Sequence, residues 1–207
     1  MTDPVFADLP ELLRDQDFNG VVLVRRGAAT LFESATGLAG RRWRAPNTMD
    51  TRFDTASITK LFTSAAVLRL AGRGELDLEI PIRHWVEADL DGTAIDPRVT
   101  LLHVLTHTSG IADDADEEAG EDYEALFHDI PNYRVLTPRD QLPFFVHKQP
   151  LAEPGTVCRY CNVGYVLAGL VLEAVTGRSF RDVIFDEVFE PAGMLDSGWY
   201  DRRDDAP

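Results

Sequence analysis

Phe53-Asp54-Thr55-Ala56-Ser57-Ile58-Thr59-Lys60 is the stretch on which the reading of this chain turns. It opens a run from Ala56 to Ala71 in which Ile58, Leu61, Phe62, Ala65, Ala66, Val67, Leu68 and Leu70 leave almost no polar face. A helix apolar all round is expected in the middle of a protein, and this one stops at Gly72-Arg73-Gly74, where glycine can adopt the left-handed cap conformation. Ser57 and Lys60 stand three residues apart and share a helical face, so the amine can reach back to the hydroxyl. The helix N-terminus contributes partial positive charge and free N–H groups, which favour negative charge developing at Ser57 and disfavour a protonated lysine. Burial acts in the same direction. Together they are expected to bring the amine from about 10.4 toward about 7 to 8, where it can take the serine proton at neutral pH. Six serines and two lysines in 207 residues make a chance Ser-x-x-Lys rare, about 0.06 expected occurrences, so an activated nucleophile is preferred to an ordinary helix start.

A second constellation, Tyr160-Cys161-Asn162, precedes another apolar helix expected from Val163 to Thr176 and ended by Gly177. A tyrosine beside a lysine can share the base role or protonate a leaving group, and an asparagine can both donate to a substrate carbonyl and bind the lysine. Alone, the triplet reads equally as a packed tyrosine and a helix-capping asparagine.

Working outward, Gly20 to Val24 and Ala29 to Ser34 are β-branched and apolar runs around Arg25-Arg26-Gly27, which predicts an antiparallel hairpin. Thr100 is expected to cap a helix from Leu101 to about His107, closed by Ser109-Gly110, and Thr137-Pro138 to begin another. Pro154-Gly155 marks a turn. Ser179 and Asp182 resemble a reciprocal cap for a helix from Phe180 to Phe189, terminated by Pro191. The chain is therefore α+β, nearly all helix and loop after one hairpin, and because an isolated hairpin is marginal in water, further strands are expected to complete its sheet.

Composition narrows the function. With 44% hydrophobic and 27% charged residues the chain is of ordinary globular type. A net charge of -15 and a pI near 4.6 exclude a nucleic-acid binder, whose phosphate contacts need clustered Lys and Arg. Asp113, Asp114, Asp116, Glu117, Glu118, Glu121 and Asp122 are expected in a solvated loop; they lack the glycine turn of an EF-hand. Arg41, Arg42, Trp43 and Arg44 read as a solvated loop with Trp43 covering apolar surface, or as a site for an acidic substrate group. Cys158 and Cys161 have no second Cys or His pair at metal-ligand spacing, so packed, reduced thiols are expected, with no metal and no cofactor; the competing reading is a thiol redox role. Met1 to Gly20 has no apolar signal segment and no run of about 18 apolar residues follows; the expectation is a cytoplasmic protein with no membrane partner.

These motifs are ones a known family carries in the same order. Phe53 through Lys60, Leu101 through Gly110 (LLHVLTHTSG), Glu153-Pro154-Gly155-Thr156, Tyr160-x-Asn162 before Gly164-Tyr165, and Phe189 through Met194 resemble the class C β-lactamase-related serine hydrolases and the penicillin-binding-protein-like proteins. The resemblance spans about Phe18 to Trp199. It implies a β-lactamase/transpeptidase-like fold and an acyl-enzyme mechanism on a small ester, amide or β-lactam substrate, esterase or peptidase in type. Ser57 is then the nucleophile, Lys60 its base partner, Tyr160 the second acid/base and Asn162 a substrate-positioning group, with the Ser57 N–H as one oxyanion donor. Family members also carry Lys-Thr-Gly or His-x-Gly on a strand lining the pocket, and no such motif occurs here. Residues 1–207 are therefore expected to be one domain lacking its C-terminal strands, which a second chain could supply. A catalytically inactive binding or regulatory module of the same fold is the competing expectation, since loss of one oxyanion donor costs about 10² to 10³ in rate.

Overall fold

The computed structural model describes residues 4–116 and 119–199, which group into two units, Met1–Asp54 and Thr55–Pro207. In the first unit, β1 (Gly20–Arg26) pairs antiparallel with β2 (Ala29–Thr36), with a register shift at Val24/Arg25. A two-residue loop joins them, and Gly27 supplies the positive φ that such a turn needs. A short helix, α1 (Leu9–Asp15), precedes the hairpin and buries Leu13, while Phe32 is buried with its ring centroid 6.2 Å from that of Phe6. A small ribbon follows, β3 (Leu38–Gly40) with β4 (Ala45–Pro46). Its turn carries Arg41 to Arg44, where Trp43, expected to cover apolar surface, is instead 79% exposed, with the Arg42 guanidinium 5.1 Å from its ring.

The second unit is built around α6 (Val163–Thr176), the apolar helix foreseen at those bounds and closed by Gly177 in the left-handed conformation. Eight of its residues are buried, and α2 (Thr59–Gly72), α3 (Arg83–Leu90), α4 (Leu101–Leu105), α5 (Pro138–Gln141) and α7 (Phe180–Ile184) all pack against it. Leu70, Ile82, Leu90, Leu101, Phe145, Leu167 and Ile184 are fully enclosed, each such side chain contributing about 1.5–3 kcal/mol relative to exposure. The caps follow the sequence. Thr100 forms a reciprocal box with His103, and Thr137 one with Asp140. Ser179 accepts from the Asp182 N–H, but the Asp182 carboxylate takes the Ser179 hydroxyl at 2.6 Å. The helix this begins ends at Ile184, and Phe185–Phe189 continue as one π-helical turn.

One expectation fails in α2. Thr63, Ala66, Val67 and Leu70 are buried, but Ile58, Leu61 and Leu68 are more than half exposed. Composition shows that a helix has no polar face; it does not show which faces find partners. At its C-terminal end α2 is tied to the π-turn by Glu187, whose carboxylate accepts from Arg73 Nη1 at 2.8 Å and Nη2 at 3.0 Å, with Arg69 at 3.4 Å. No single helix among the described residues is long and apolar enough to cross a membrane.

Candidate active site

The chain enters α2 through Ala56, a non-glycine residue at φ 44, and a 3-10 turn, Ala56–Ile58. A left-handed alanine costs roughly 1–3 kcal/mol, and strain of this kind holds Ser57, an exposed residue, at the mouth of the helix. No side chain caps α2 and no acidic residue lies in its first turn. Lys60, half-buried one turn on, donates to Ser57 Oγ at 3.2 Å, the i to i+3 reach foreseen for the pair.

Tyr160 and Asn162 arrive from the other side. His107, Thr108 and Gly110 offer their carbonyls to the N–H groups of Arg159, Gly155 and Leu151 at 2.8, 2.7 and 2.8 Å. This irregular ladder lays the segment before α6 along the segment after α4. Gly110, at φ 70, has to be glycine because a Cβ would collide with the Ala152 carbonyl. The result places Tyr160 Oη 2.6 Å from Ser57 Oγ, donating to it, and Asn162 Oδ1 2.7 Å from Lys60 Nζ, accepting from it. All four residues foreseen as site residues thus meet, 100 residues apart in sequence. Lys60 Nζ also faces the Tyr160 ring at 4.8 Å and the Tyr165 ring at 5.7 Å, so ring faces and an amide oxygen surround the amine.

Three further residues belong to the site and were not foreseen there. His107, also left-handed at φ 57, stacks on Tyr160 with centroids 4.6 Å apart and accepts the Cys161 N–H on Nδ1 at 3.1 Å. Burial, helped by the charge on Lys60, pushes its imidazole below the ordinary histidine value. Asp113 was expected in a solvated acidic loop; it is instead buried, 8% exposed, and accepts from Asn162 N at 2.8 Å, Asn162 Nδ2 at 3.1 Å and Val163 N at 2.9 Å. Tyr123 Oη takes the other Asn162 Nδ2 hydrogen at 2.7 Å. The rest of the acidic run is also engaged: Asp116 pairs with Arg159 at 2.7 Å and Glu121 with Lys148 at 3.4 Å. Glu117 and Glu118 lie outside the described residues.

The two cysteines are free thiols of unlike character. Cys158 is exposed, whereas Cys161 is buried and its thiol is pushed up to about 12 by burial. A thiol held protonated is a poor nucleophile, which supports the packing reading for Cys161. Among the described residues no group of three or more His, Cys, Asp and Glu side chains is placed to hold a metal ion.

A cavity of about 370 Å³ opens beside these groups, with Ser57, Lys60, Asn162, Phe180 and Trp199 among the residues that line it. It sets the Ser57 hydroxyl beside room for a small organic group. Comparison with known proteins gives the same picture. The profile of the Beta-lactamase family matches residues 5–207. Esterase EstB of Burkholderia gladioli is 34% identical over 195 residues, covering 91% of this chain and 49% of that protein. A D-aminopeptidase of Brucella anthropi is 31% identical over 177 residues, covering 84% and 31%. In structure, a penicillin-binding protein from Bacillus halodurans superposes with a TM-score of 0.88 at 38% identity, over 96% of this chain and 59% of that one. The chain spans about half the length, or less, of the curated relatives it matches. With its Ser-x-x-Lys helix, its Tyr-x-Asn turn and a profile match over nearly every residue, this chain belongs to the β-lactamase family of serine hydrolases.

Proposed function

We propose that this chain bears the nucleophile of an acyl-transferring hydrolase that acts on a small ester or amide through an acyl-enzyme on Ser57. The observation that carries the reading is the double contact on Ser57 Oγ, from Tyr160 Oη at 2.6 Å and Lys60 Nζ at 3.2 Å. Both lie within the range for proton transfer in the reacting complex. Esters and amides are preferred because the similar proteins include one named an esterase and one named an aminopeptidase.

In the first half-reaction Ser57 Oγ forms a bond to the acyl carbon as its proton passes to Lys60 Nζ in the unprotonated form of the amine. The carbonyl π electrons move onto oxygen, and the negative charge develops near the uncapped N-terminus of α2, where its N–H groups and dipole favour it. When the carbonyl re-forms, the bond to the leaving group breaks, and the leaving oxygen or nitrogen takes a proton from Tyr160 Oη, which the Lys60 ammonium replaces. Asn162 holds Lys60 from behind through Oδ1, and so keeps the amine against Ser57 while the acyl group enters. Water then attacks the ester on Ser57, its proton following the same route in reverse, and the acid leaves with Ser57 restored.

The test is a pre-steady-state burst with p-nitrophenyl butyrate on the 207-residue chain, followed by peptide mass analysis. A butyryl adduct on the peptide containing Ser57, absent in Ser57→Ala, is the expected result. Ester cleavage that proceeds equally in Ser57→Ala would overturn the assignment.

A further inference from the structure

Asn162 is an amide, and an amide can be turned around. Its two ends carry opposite polarity, an acceptor at Oδ1 and two donor hydrogens at Nδ2. Which end faces Lys60 decides whether the amine meets an acceptor or a donor. Geometry at Asn162 itself leaves the choice open, because the two orientations have the same shape. Its surroundings remove it.

We propose that Asp113 is a positioning residue of this site, whose buried carboxylate locks the Asn162 amide with Oδ1 toward Lys60 and so fixes Lys60 against Ser57. This rests on the proposed function only in its catalytic consequence. An ionised carboxylate accepts hydrogen bonds and donates none. Asp113 Oδ2 receives both the Asn162 N–H at 2.8 Å and the Nδ2 group at 3.1 Å, and Oδ1 receives the Val163 N–H at 2.9 Å. Tyr123 Oη occupies the second Nδ2 hydrogen at 2.7 Å. Both donors of the amide are thereby committed on the side away from Lys60, and Oδ1 is left for Nζ at 2.7 Å. The reversed amide would set Oδ1 against the carboxylate and Nδ2 against the amine, two repulsive contacts in place of two attractive ones.

The same carboxylate stands at the N-terminus of α6, a 14-residue helix with no side-chain cap of its own. Its first N–H groups and dipole favour an anion there. Backbone and side chain of Asn162 are therefore held by one group, so neither the position nor the sense of the amide can drift. From Asp113 the chain of contacts runs through Asn162 to Lys60 Nζ and on to Ser57 Oγ.

The substitution Asp113→Asn tests this with little change of volume. An asparagine at 113 presents one acceptor and one donor where two acceptors stood, so at least one of the three N–H contacts is lost and the hold on the Asn162 amide is loosened. With fold confirmed by a cooperative thermal transition, the expected result is labelling of Ser57 by a fluorophosphonate at least ~10-fold slower. The pH profile of labelling should also move to lower pH, because a loosened amide turns part of the time and then presents a donor to the amine; a purely structural role would leave that profile in place. A folded Asp113→Asn variant labelled at the wild-type rate and with the wild-type profile would overturn the proposal. An independent readout on the unmodified chain covers the case in which the variant does not fold or the wild type is not labelled at all. The Asn162 side-chain amide protons, assigned by their loss in Asn162→Asp, are expected to be two separate resonances slowed in exchange with solvent. Protected protons without any labelling would leave the positioning role standing and count against the hydrolase reading alone; protons that exchange like those of an exposed asparagine would overturn the positioning role.

Discussion

The helices α2 and α6 have the same length, fourteen residues, and both are rich in apolar residues, yet the protein uses them in opposite ways. Helix α6 buries eight residues and has its N-terminus filled by an internal anion, Asp113. Helix α2 buries four, exposes Leu61 and Leu68, and follows the left-handed Ala56 with no side-chain cap bond and no acidic residue in its first turn. One helix dipole is neutralised to hold a structural turn in place. The other has no carboxylate in its first turn, beside Ser57, which on the proposed function is where negative charge develops. On the proposed function, the contrast sets the firmly held Asn162 against Ser57, the proposed nucleophile, at a helix end with no carboxylate in its first turn.

The contrast can be broken or sharpened by substitution. The largest effect is expected in α6: Leu167→Ala, at a fully buried site, should destabilise the fold by about 2–5 kcal/mol, seen as a lower midpoint in denaturant. Next comes the acid limb of stability. Hydrogen bonds from Arg73 hold the Glu187 carboxyl down at about 2, below its ordinary value. A carboxylate with a lowered folded-state pKa stabilises the fold above its unfolded value of about 4.5, and that contribution is lost as pH falls from there toward 2. Thermal melts between pH 5 and pH 2 should show this loss, and Glu187→Gln should flatten it. A smaller effect tests the open helix end. Thr59→Asp puts a carboxylate into the first turn of α2 and should stabilise that helix by about 0.3–1 kcal/mol, while slowing fluorophosphonate labelling of Ser57 because the field there is now partly cancelled. Smallest of all is Leu68→Ala in α2, at a side chain 53% exposed, where a change within about 0.5 kcal/mol is expected. A loss there as large as that of Leu167→Ala would dissolve the comparison.

How far these features could be read from the residues depends on how local their signals are. The bounds of α6, the cap at Thr100 and the existence of the hairpin depend on neighbours within a few positions, and each was legible, although the first strand runs on through Arg25 and Arg26, where the turn was expected. Ser57 and Lys60 lie three residues apart, so their meeting follows from helix geometry alone. The meeting of that pair with Tyr160 and Asn162 came from resemblance and not from spacing, since 100 residues of chain intervene. Asp113 was hidden for a further reason. It sits among seven acidic residues whose collective charge argues for solvent, and the partners that bury it begin 49 positions later. Tyr123 and His107 carry no local mark of their contacts either. The helix Arg83–Leu90, eight residues long and kinked at Val86, was not foreseen, and the exposed side of α2 could not be told from its buried side, because a sequence with no polar face carries no record of which face is covered.

The central claim, a serine at an open helix end activated by its lysine, is tested most directly by the time course of fluorophosphonate labelling in the wild type and in Lys60→Met, with Ser57→Ala as the blank. The expected result is a single adduct on Ser57 in the wild type, none in the blank, and labelling in Lys60→Met slower by about 10²-fold or more, the contribution typical of a positioned general base. Equal rates in the wild type and Lys60→Met, or an adduct that persists in Ser57→Ala, would contradict it.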